Sequence, residues 1–233
     1  MMKDKILTIC LGNDSKNLCG AKNDSILFYN YIYLLYTNKS LKQNWYKPKL
    51  FLNNDVVEDN IKKYLKEFKF NFNKILFFYS GNGITNGQIN IKNKYSNYMK
   101  DTYLLNLINE SLKRNIELYI ILDCCYSGSF EIVPLDKIKK INLMTSCDKN
   151  QLSNEGIISY DKLLKNNRIN EYNNCILKKN DSIILGIFTY NLLEFLYKIN
   201  FDDIKNWKNI FKFKNYWEHI LKTANQKPIF IWD

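Results

Sequence analysis

Apolar residues along the chain form short continuous runs that alternate with stretches of helical spacing. The clearest run is residues 118–122, five apolar residues with no polar alternation, which is typical of a strand buried on both faces of a parallel sheet. Further runs predict strands at residues 5–11, 49–53, 75–80, 141–146 and 226–232. Helical spacing predicts helices at residues 26–34, 56–66, 103–114 and 216–221. The alternation predicts an α/β fold of about six mainly parallel strands with helices on both faces.

Polar and reactive residues follow two of the predicted strands at the point where each strand ends. One strand leads into Asp-Cys-Cys-Tyr-Ser-Gly at residues 123–128, and the other into Ser-Gly-Asn-Gly at residues 80–83. Ligands bind at the carboxyl edge of such sheets, so a thiol there is a candidate nucleophile. A free cysteine also often packs as a small apolar residue, and that alternative stays open at this point.

The two strand ends together resemble the caspase and metacaspase family of cysteine peptidases. In that family one strand ends in Ser-Gly-His-Gly, which supplies the base, and the next ends in Asp-Cys-Cys or a relative, which supplies the nucleophile. The resemblance continues in the family's order through residues 20–24, 144–151 and 186–189, where a further helix is expected to open. It implies a caspase-like three-layer sandwich that occupies residues 1–233 as a single domain.

The resemblance assigns roles to residues at these strand ends. Cys125 is the expected nucleophile, and the backbone N–H groups of Cys125 and Gly83 are the expected oxyanion donors. In metacaspases, which cleave after Arg or Lys, two acids and a serine line the pocket for the basic side chain, and their matches here are Asp24, Ser80 and Asp123. Carboxylates from separate loops suit an ammonium or guanidinium group. The alternative is that Asp24 only caps a helix and Asp123 is a polar residue at a strand end.

The catalytic base of the family has no counterpart in this chain. Asn82 stands at the position of the family's His, and Tyr126 where a second His commonly follows the nucleophile. An amide cannot accept a thiol proton, and a thiol with the ordinary pKa of about 8.5 is only a few per cent ionised at pH 7. The one histidine, His219, is expected on a C-terminal helix far from these strands.

The resemblance, with its base missing, implies a metacaspase-like domain that is a peptidase of very low activity or an outright pseudopeptidase and that binds basic peptides. The alternative is an active Arg- or Lys-specific endopeptidase that uses Cys125 with a non-standard base. Lys and Arg total 34 against 23 acids, a net charge of +11, but the lysines are scattered and form no basic stripe. Nucleic-acid binding is therefore not expected.

Composition also limits compartment and cofactors. No apolar segment is long enough for a signal peptide or a membrane span, which predicts a soluble, cytoplasmic protein. Six cysteines without a CxxC pair are expected to be reduced thiols. Metacaspases are often activated by calcium, which needs several oxygen ligands, and Asp101 and Glu131 are isolated acids in the corresponding region. We expect a monomer with no metal and no cofactor, whose partner is a basic peptide or protein.

Overall fold

The computed structural model describes residues 5–38, 44–68, 71–113, 115–159, 178–179, 182–199, 217, 222 and 224–231. The helices are α1 (Ala21–Thr37), α2 (Glu58–Glu67), α3 (Asp101–Ser111) and α4 (Ile187–Ile199). The strands are β1 (Ile6–Asn13), β2 (Lys49–Leu52), β3 (Lys74–Gly81), β4 (Gly83–Ile84), β5 (Gln88–Ile89), β6 (Met99–Lys100), β7 (Ile116–Asp123), β8 (Ile138–Thr145), β9 (Glu155–Ser159), β10 (Lys178–Lys179), β11 (Ser182–Gly186) and β12 (Ile229–Ile231).

A six-stranded sheet forms the centre of the fold, in the order β12-β8-β7-β3-β1-β2. Its strands run parallel except β12, which pairs antiparallel with β8. β1 and β3 are buried along nearly their whole length, as expected for strands that are covered on both faces. The predicted α/β sandwich of six mainly parallel strands is confirmed, and the predicted strand ends are correct to within a few residues.

Helices cover both faces of this sheet and give each face its own core. On one face Phe28 of α1 stacks on Phe78 of β3, with ring centroids 4.2 Å apart, in a core that also contains α4. On the other face Ile61 of α2 and Leu104 of α3 share a core with Phe77 of β3. Because side chains alternate along a strand, each central strand serves both cores.

A small antiparallel sheet of β4, β5 and β6 follows the end of β3. Asn86 and Gly87 turn the chain between β4 and β5 with φ angles of 68° and 71°. This left-handed conformation favours Asn and Gly. In the sequence, Asn86-Gly87 is a strong signal for a hairpin turn, and the structure confirms that prediction.

A second antiparallel sheet has the strand order β10-β11-β9. Residues 159–182 are polar and predict one long loop, but the residues at both ends of that range belong to strands of this sheet. The prediction is wrong at those ends because residues of β9 and β11 pair with each other. Residues 160–177, and the predicted helix at 216–221 apart from Trp217, lie outside the described residues. None of the helices in the described part of the chain is long and apolar enough to cross a membrane.

Candidate active site

The register of the central sheet brings the two reactive strand ends together. β3 and β7 are parallel neighbours, and Ser80 pairs with Asp123. Asn82 and Cys125 each follow that pair by two residues, so they lie at neighbouring strand ends on the carboxyl edge of the sheet. Cys124 is 1% exposed and belongs to the core, whereas Cys125 is only half-buried. Cys124 therefore packs in the core, and the role of Cys125 as the nucleophile stays a prediction.

Asp24 reaches across the fold from the first turn of α1. Its Oδ2 accepts a hydrogen bond of 2.7 Å from Ser80 Oγ, and its Oδ1 accepts one of 2.9 Å from the Gly186 amide. The alternative in which Asp24 only caps this helix is wrong. Gly20 is the N-cap and makes no side-chain cap bond, and the carboxylate of Asp24 is turned toward β3 and β11 instead.

Asp123 is anchored by the start of α4 and by the segment after β8. Its Oδ2 accepts hydrogen bonds from Thr189 Oγ1 (2.7 Å) and from the Thr189 amide (3.1 Å). Its Oδ1 accepts one of 2.6 Å from Ser153 Oγ. Thr189 lies in the first turn of α4, where backbone N–H groups favour a negative charge.

Gly186 lies against both carboxylates. A Cβ built on Gly186 would lie 2.9 Å from Asp24 Oδ2 and closer still to Asp123 Oδ2. Both oxygens therefore converge on the space that a side chain would fill. The sequence marks Gly186 only as the residue before a helix, so its contact with both acids is a finding of the structure.

A third carboxylate, Glu155, lies beside this pair and is not identified by the sequence analysis. It is the register partner of Gly186 in the sheet of β9 and β11. Its Oε1 accepts a hydrogen bond of 2.5 Å from the Gly20 amide, and its Oε2 one of 3.2 Å from the Cys19 amide. Only the pairing of β9 with β11, which sequence periodicity did not reveal, could have placed Glu155 here.

The acids of this cluster, Asp24, Asp123 and Glu155, sit in surroundings that disfavour their charge. Burial raises the pKa of Asp24 well above its usual value, and the negative charge of Asp123 raises it further, while the hydrogen bonds from Ser80 and Gly186 act in the opposite direction. Burial likewise raises the pKa of Asp123 and of Glu155. The cluster therefore retains protons that exposed carboxylates would release.

These raised pKa values make stability depend on pH. As the pH rises from about 4, the unfolded chain releases protons that the folded cluster still holds, so the free energy of unfolding falls until the raised folded pKa values are passed. Asp24→Asn keeps an acceptor for the Gly186 amide and removes one charge. We expect it to flatten this dependence and to stabilise the fold at pH 8 by about 1 kcal/mol. Urea denaturation at pH 5 and pH 8 measures the change, and identical profiles for the variant and the wild type would contradict it.

The charges that act on the Cys125 thiol from the described residues are those of carboxylates, which disfavour the thiolate. Cys125 Sγ contacts the Ser153 carbonyl oxygen at 3.9 Å, and the pKa of the thiol is raised by burial and by the charge of Asp123, against the influence of Ser153. Asn82 lines a cleft, and its backbone carbonyl accepts hydrogen bonds from Tyr79 Oη (2.8 Å) and the Asn90 amide (3.0 Å). His219 lies outside the described residues, so the expectation that it is far from Cys125 stays a prediction.

Gly83 lies directly against the backbone of Cys125. A Cβ on Gly83 would overlap the Cys125 carbonyl oxygen and lie 3.0 Å from Cys124 Sγ. Gly83 lies opposite Ile89 in the hairpin. The hydrogen bond next to them runs from the Asn90 amide to the Asn82 carbonyl. Gly83 and Ile89 are therefore a non-hydrogen-bonded pair of the antiparallel ladder. The hairpin thus leaves the Gly83 amide unused, as an oxyanion donor requires.

Two further features fix the segments around Cys125. Tyr126 has a left-handed backbone with φ 56°, which is rare for a bulky residue and typical of functional turns, and its amide donates to the Gln151 carbonyl at 2.8 Å. Gln226, which is buried, donates from Nε2 to Ser153 Oγ at 3.1 Å. The segment before β12 therefore supports the loop that contacts both Cys125 and Asp123.

The acids considered for calcium do not form a ligand set. Asp101 Oδ2 accepts a hydrogen bond of 2.7 Å from the Glu131 amide, and no group of three or more His, Cys, Asp or Glu side chains suited to a metal occurs among the described residues. The cysteines at positions 10, 19, 124, 125 and 147 are free thiols. The absence of a metal and of a cofactor stays a prediction.

Comparison with known proteins finds a likeness to solved structures. No protein-family model matches the chain, and no curated protein matches its sequence. The solved structures that match include caspase-1 from Spodoptera frugiperda, with a TM-score of 0.45 and 11% sequence identity. The match covers 67% of this chain and 65% of the caspase, so the chain spans about two thirds of that protein's length. At this level of similarity we infer nothing about activity from the likeness.

Proposed function

We propose that the chain is a metacaspase-like cysteine endopeptidase domain that binds peptides with Arg or Lys before the scissile bond and is catalytically impaired. The observation that carries the proposal is the convergence of Asp24 and Asp123 on Gly186, beside the end of β7 that leads into Cys125. Both carboxylates are buried and adjoin the same residue, and a bound cation would offset the negative charge of Asp123 that helps to raise the pKa of Asp24. The motif resemblance supplies the reaction class.

A basic side chain would change the electrostatics of this cluster. A guanidinium group presents a planar fork of N–H donors and can engage two carboxylates at once. Its charge would restore the ionised form of Asp24 and Asp123, because an opposite charge lowers a carboxyl pKa. Binding is therefore coupled to proton release, and the affinity for a basic peptide increases as the pH rises.

Impairment follows from the thiol and from Asn82. A thiol whose pKa is raised by burial and by a neighbouring acid is almost fully protonated at pH 7, and an amide cannot accept its proton. The positions of Gly83 and Cys125 support an oxyanion hole, so the chain would retain the means to bind and orient a peptide without the means to attack it. In cells such a domain would occupy basic peptides rather than cleave them.

The alternative is an active endopeptidase in which another group activates Cys125. Among the described residues, Glu155 is the half-exposed carboxylate whose charge acts on Cys125. Both of its oxygens accept amide hydrogen bonds from Cys19 and Gly20, which commits it to holding the start of α1. A base role for Glu155 therefore has weaker support than impairment.

Binding of an Arg peptide and of its citrulline analogue tests the proposal. Citrulline keeps the shape of arginine and removes its charge. Loss of a charge-assisted contact costs about 1.5 to 3 kcal/mol, so we expect the Arg peptide to bind at least about tenfold more tightly, and Asp24→Asn to remove most of that preference. Isothermal titration calorimetry measures both peptides.

Asp101→Asn is the matched control for this experiment. Asp101 is also a buried acid that accepts backbone hydrogen bonds, but it does not belong to the cluster around Gly186. The variant should bind both peptides as the wild type does. Equal affinity of the wild type for Arg and citrulline peptides would show that the acidic cluster is not a substrate pocket.

A further inference from the structure

A cleft of about 980 Å³ opens at Asn82 and is separate from the acidic cluster. Its walls come from the turn at Asn53–Asp55, from α2 and from the segment between β5 and β6. The volume is at the upper end of the range for sites that bind small ligands. Neither Cys125 nor any acid of the cluster Asp24, Asp123 and Glu155 lines it.

The cleft and the acidic cluster lie on opposite faces of the sheet. Ser80 and Phe78 are two residues apart in β3, so their side chains lie on the same face of the sheet. Phe78 belongs to the core of α1 and α4, and Ser80 donates to Asp24. The acidic cluster is therefore on that face. Glu58 and Lys62 of α2 and Tyr103 of α3 line the cleft, which places it on the face of α2 and α3. Asn82 and Cys125 stand between them, at the carboxyl edge of the sheet.

Hydrogen bonds between separate segments form the cleft in advance of any ligand. Asn13 Nδ2 donates to the Asn90 carbonyl at 3.0 Å, which joins β1 to the far wall. The Glu58 amide donates to the Lys92 carbonyl at 2.9 Å, and Tyr103 Oη donates to Glu58 Oε1 at 2.9 Å. A cleft whose walls are already joined by hydrogen bonds loses little conformational entropy when it binds a ligand.

We propose that this cleft binds the part of a peptide that follows the basic residue, on the leaving-group side of the scissile bond. The inference rests on the proposed function, because it uses the acidic cluster to place the basic residue. A peptide anchored there and passing over Cys125 leaves the site on the face where the cleft opens. Seven of the seventeen lining residues are asparagines, and lysines and acids line it as well, which suits the main chain and polar side chains of an extended peptide.

Two peptides that are identical up to the Arg test this site. One ends in an amide after the Arg, and the other continues with four polar residues; both are titrated into the wild-type chain, and mass spectrometry verifies that they stay intact. We expect the longer peptide to bind at least about tenfold more tightly, the gain that one or two net hydrogen bonds provide. Equal affinity would overturn the inference while leaving the Arg preference over citrulline in place. If neither peptide binds, the proposed function fails together with the inference.

A bulky residue in the cleft separates this site from the acidic cluster. Asn54 is exposed and lines the cleft, so Asn54→Trp should fill it, remove the gain of the longer peptide and leave the shorter peptide's affinity unchanged. Asn115→Trp makes the same substitution at an exposed position before the amino end of β7, at the far edge of the sheet, and should change neither affinity. Equal weakening of both peptides by Asn54→Trp would contradict a separate site.

Discussion

Replacing Asn82 with His is expected to raise the hydrolysis of peptides with Arg or Lys before the scissile bond by at least about a hundredfold. An imidazole at this strand end can accept the proton of Cys125, and general base catalysis contributes roughly 10² to 10⁴ in rate. The imidazolium formed would also lower the raised pKa of the thiol, because an opposite charge favours the thiolate. Steady-state kinetics on a fluorogenic Arg peptide measure the gain in kcat/KM.

The double variant Asn82→His with Cys125→Ala is the control for this gain, which should vanish in it. Asn82→Gln, which keeps an amide, should behave as the wild type. A wild type that already hydrolyses the peptide rapidly, with no further gain from His, would mean that another group is the base and would favour the active-enzyme alternative. Tyr126 is a bulky residue next to Cys125 and would restrict access to the thiol. We therefore expect a gain near the lower end of this range.

Substituting Gly186 with Ala is expected to disable the acidic cluster as a whole. The added Cβ would displace the carboxylates of both Asp24 and Asp123. Loss of two charge-assisted contacts of about 1.5 to 3 kcal/mol each corresponds to at least a hundredfold weaker binding of Arg peptides. Forcing a methyl group into this space should also destabilise the fold by about 1 to 3 kcal/mol. Titration calorimetry and urea denaturation measure the two effects.

Gly156→Ala is a matched control on the neighbouring strand. Gly156 pairs with Leu185, one residue from Gly186, but a Cβ there would lie 3.4 Å from Ile187 Cγ1, which is ordinary contact. We expect it to fold and bind as the wild type does. If Gly186→Ala bound Arg peptides normally, basic side chains would not be held between Asp24 and Asp123.

The central sheet and the position of the thiol were predictable because they depend on local pattern. Continuous apolar runs identified β1, β3 and β7, and parallel neighbouring strands must end at the same edge, which places Asn82 near Cys125. The Asn-Gly pair predicted its hairpin for a similarly local reason, since few other residues adopt a left-handed turn readily.

The rest of the site depends on contacts between residues that are distant in sequence. An acid in the first turn of a helix is as consistent with capping as with a tertiary contact, and only the position of Gly186 shows which role Asp24 has. Glu155 belongs to β9, a short strand whose pairing with β11 left no periodic signal. The hydrogen bond from Gln226 to Ser153 likewise joins two segments that no sequence pattern connects.

The central claim is that the chain binds basic peptides through its acidic cluster but does not cleave them. The most direct test is whether a bound Arg peptide stays intact. The wild type is incubated for a day at pH 7.5 with an Arg peptide at a concentration that saturates binding, with Cys125→Ala in parallel, and both samples are analysed by mass spectrometry. We expect the peptide and the chain to remain uncut in both samples while the peptide is bound. Cleavage after the Arg in the wild type that is lost in Cys125→Ala would contradict the claim, and so would a failure of the wild type to bind the peptide.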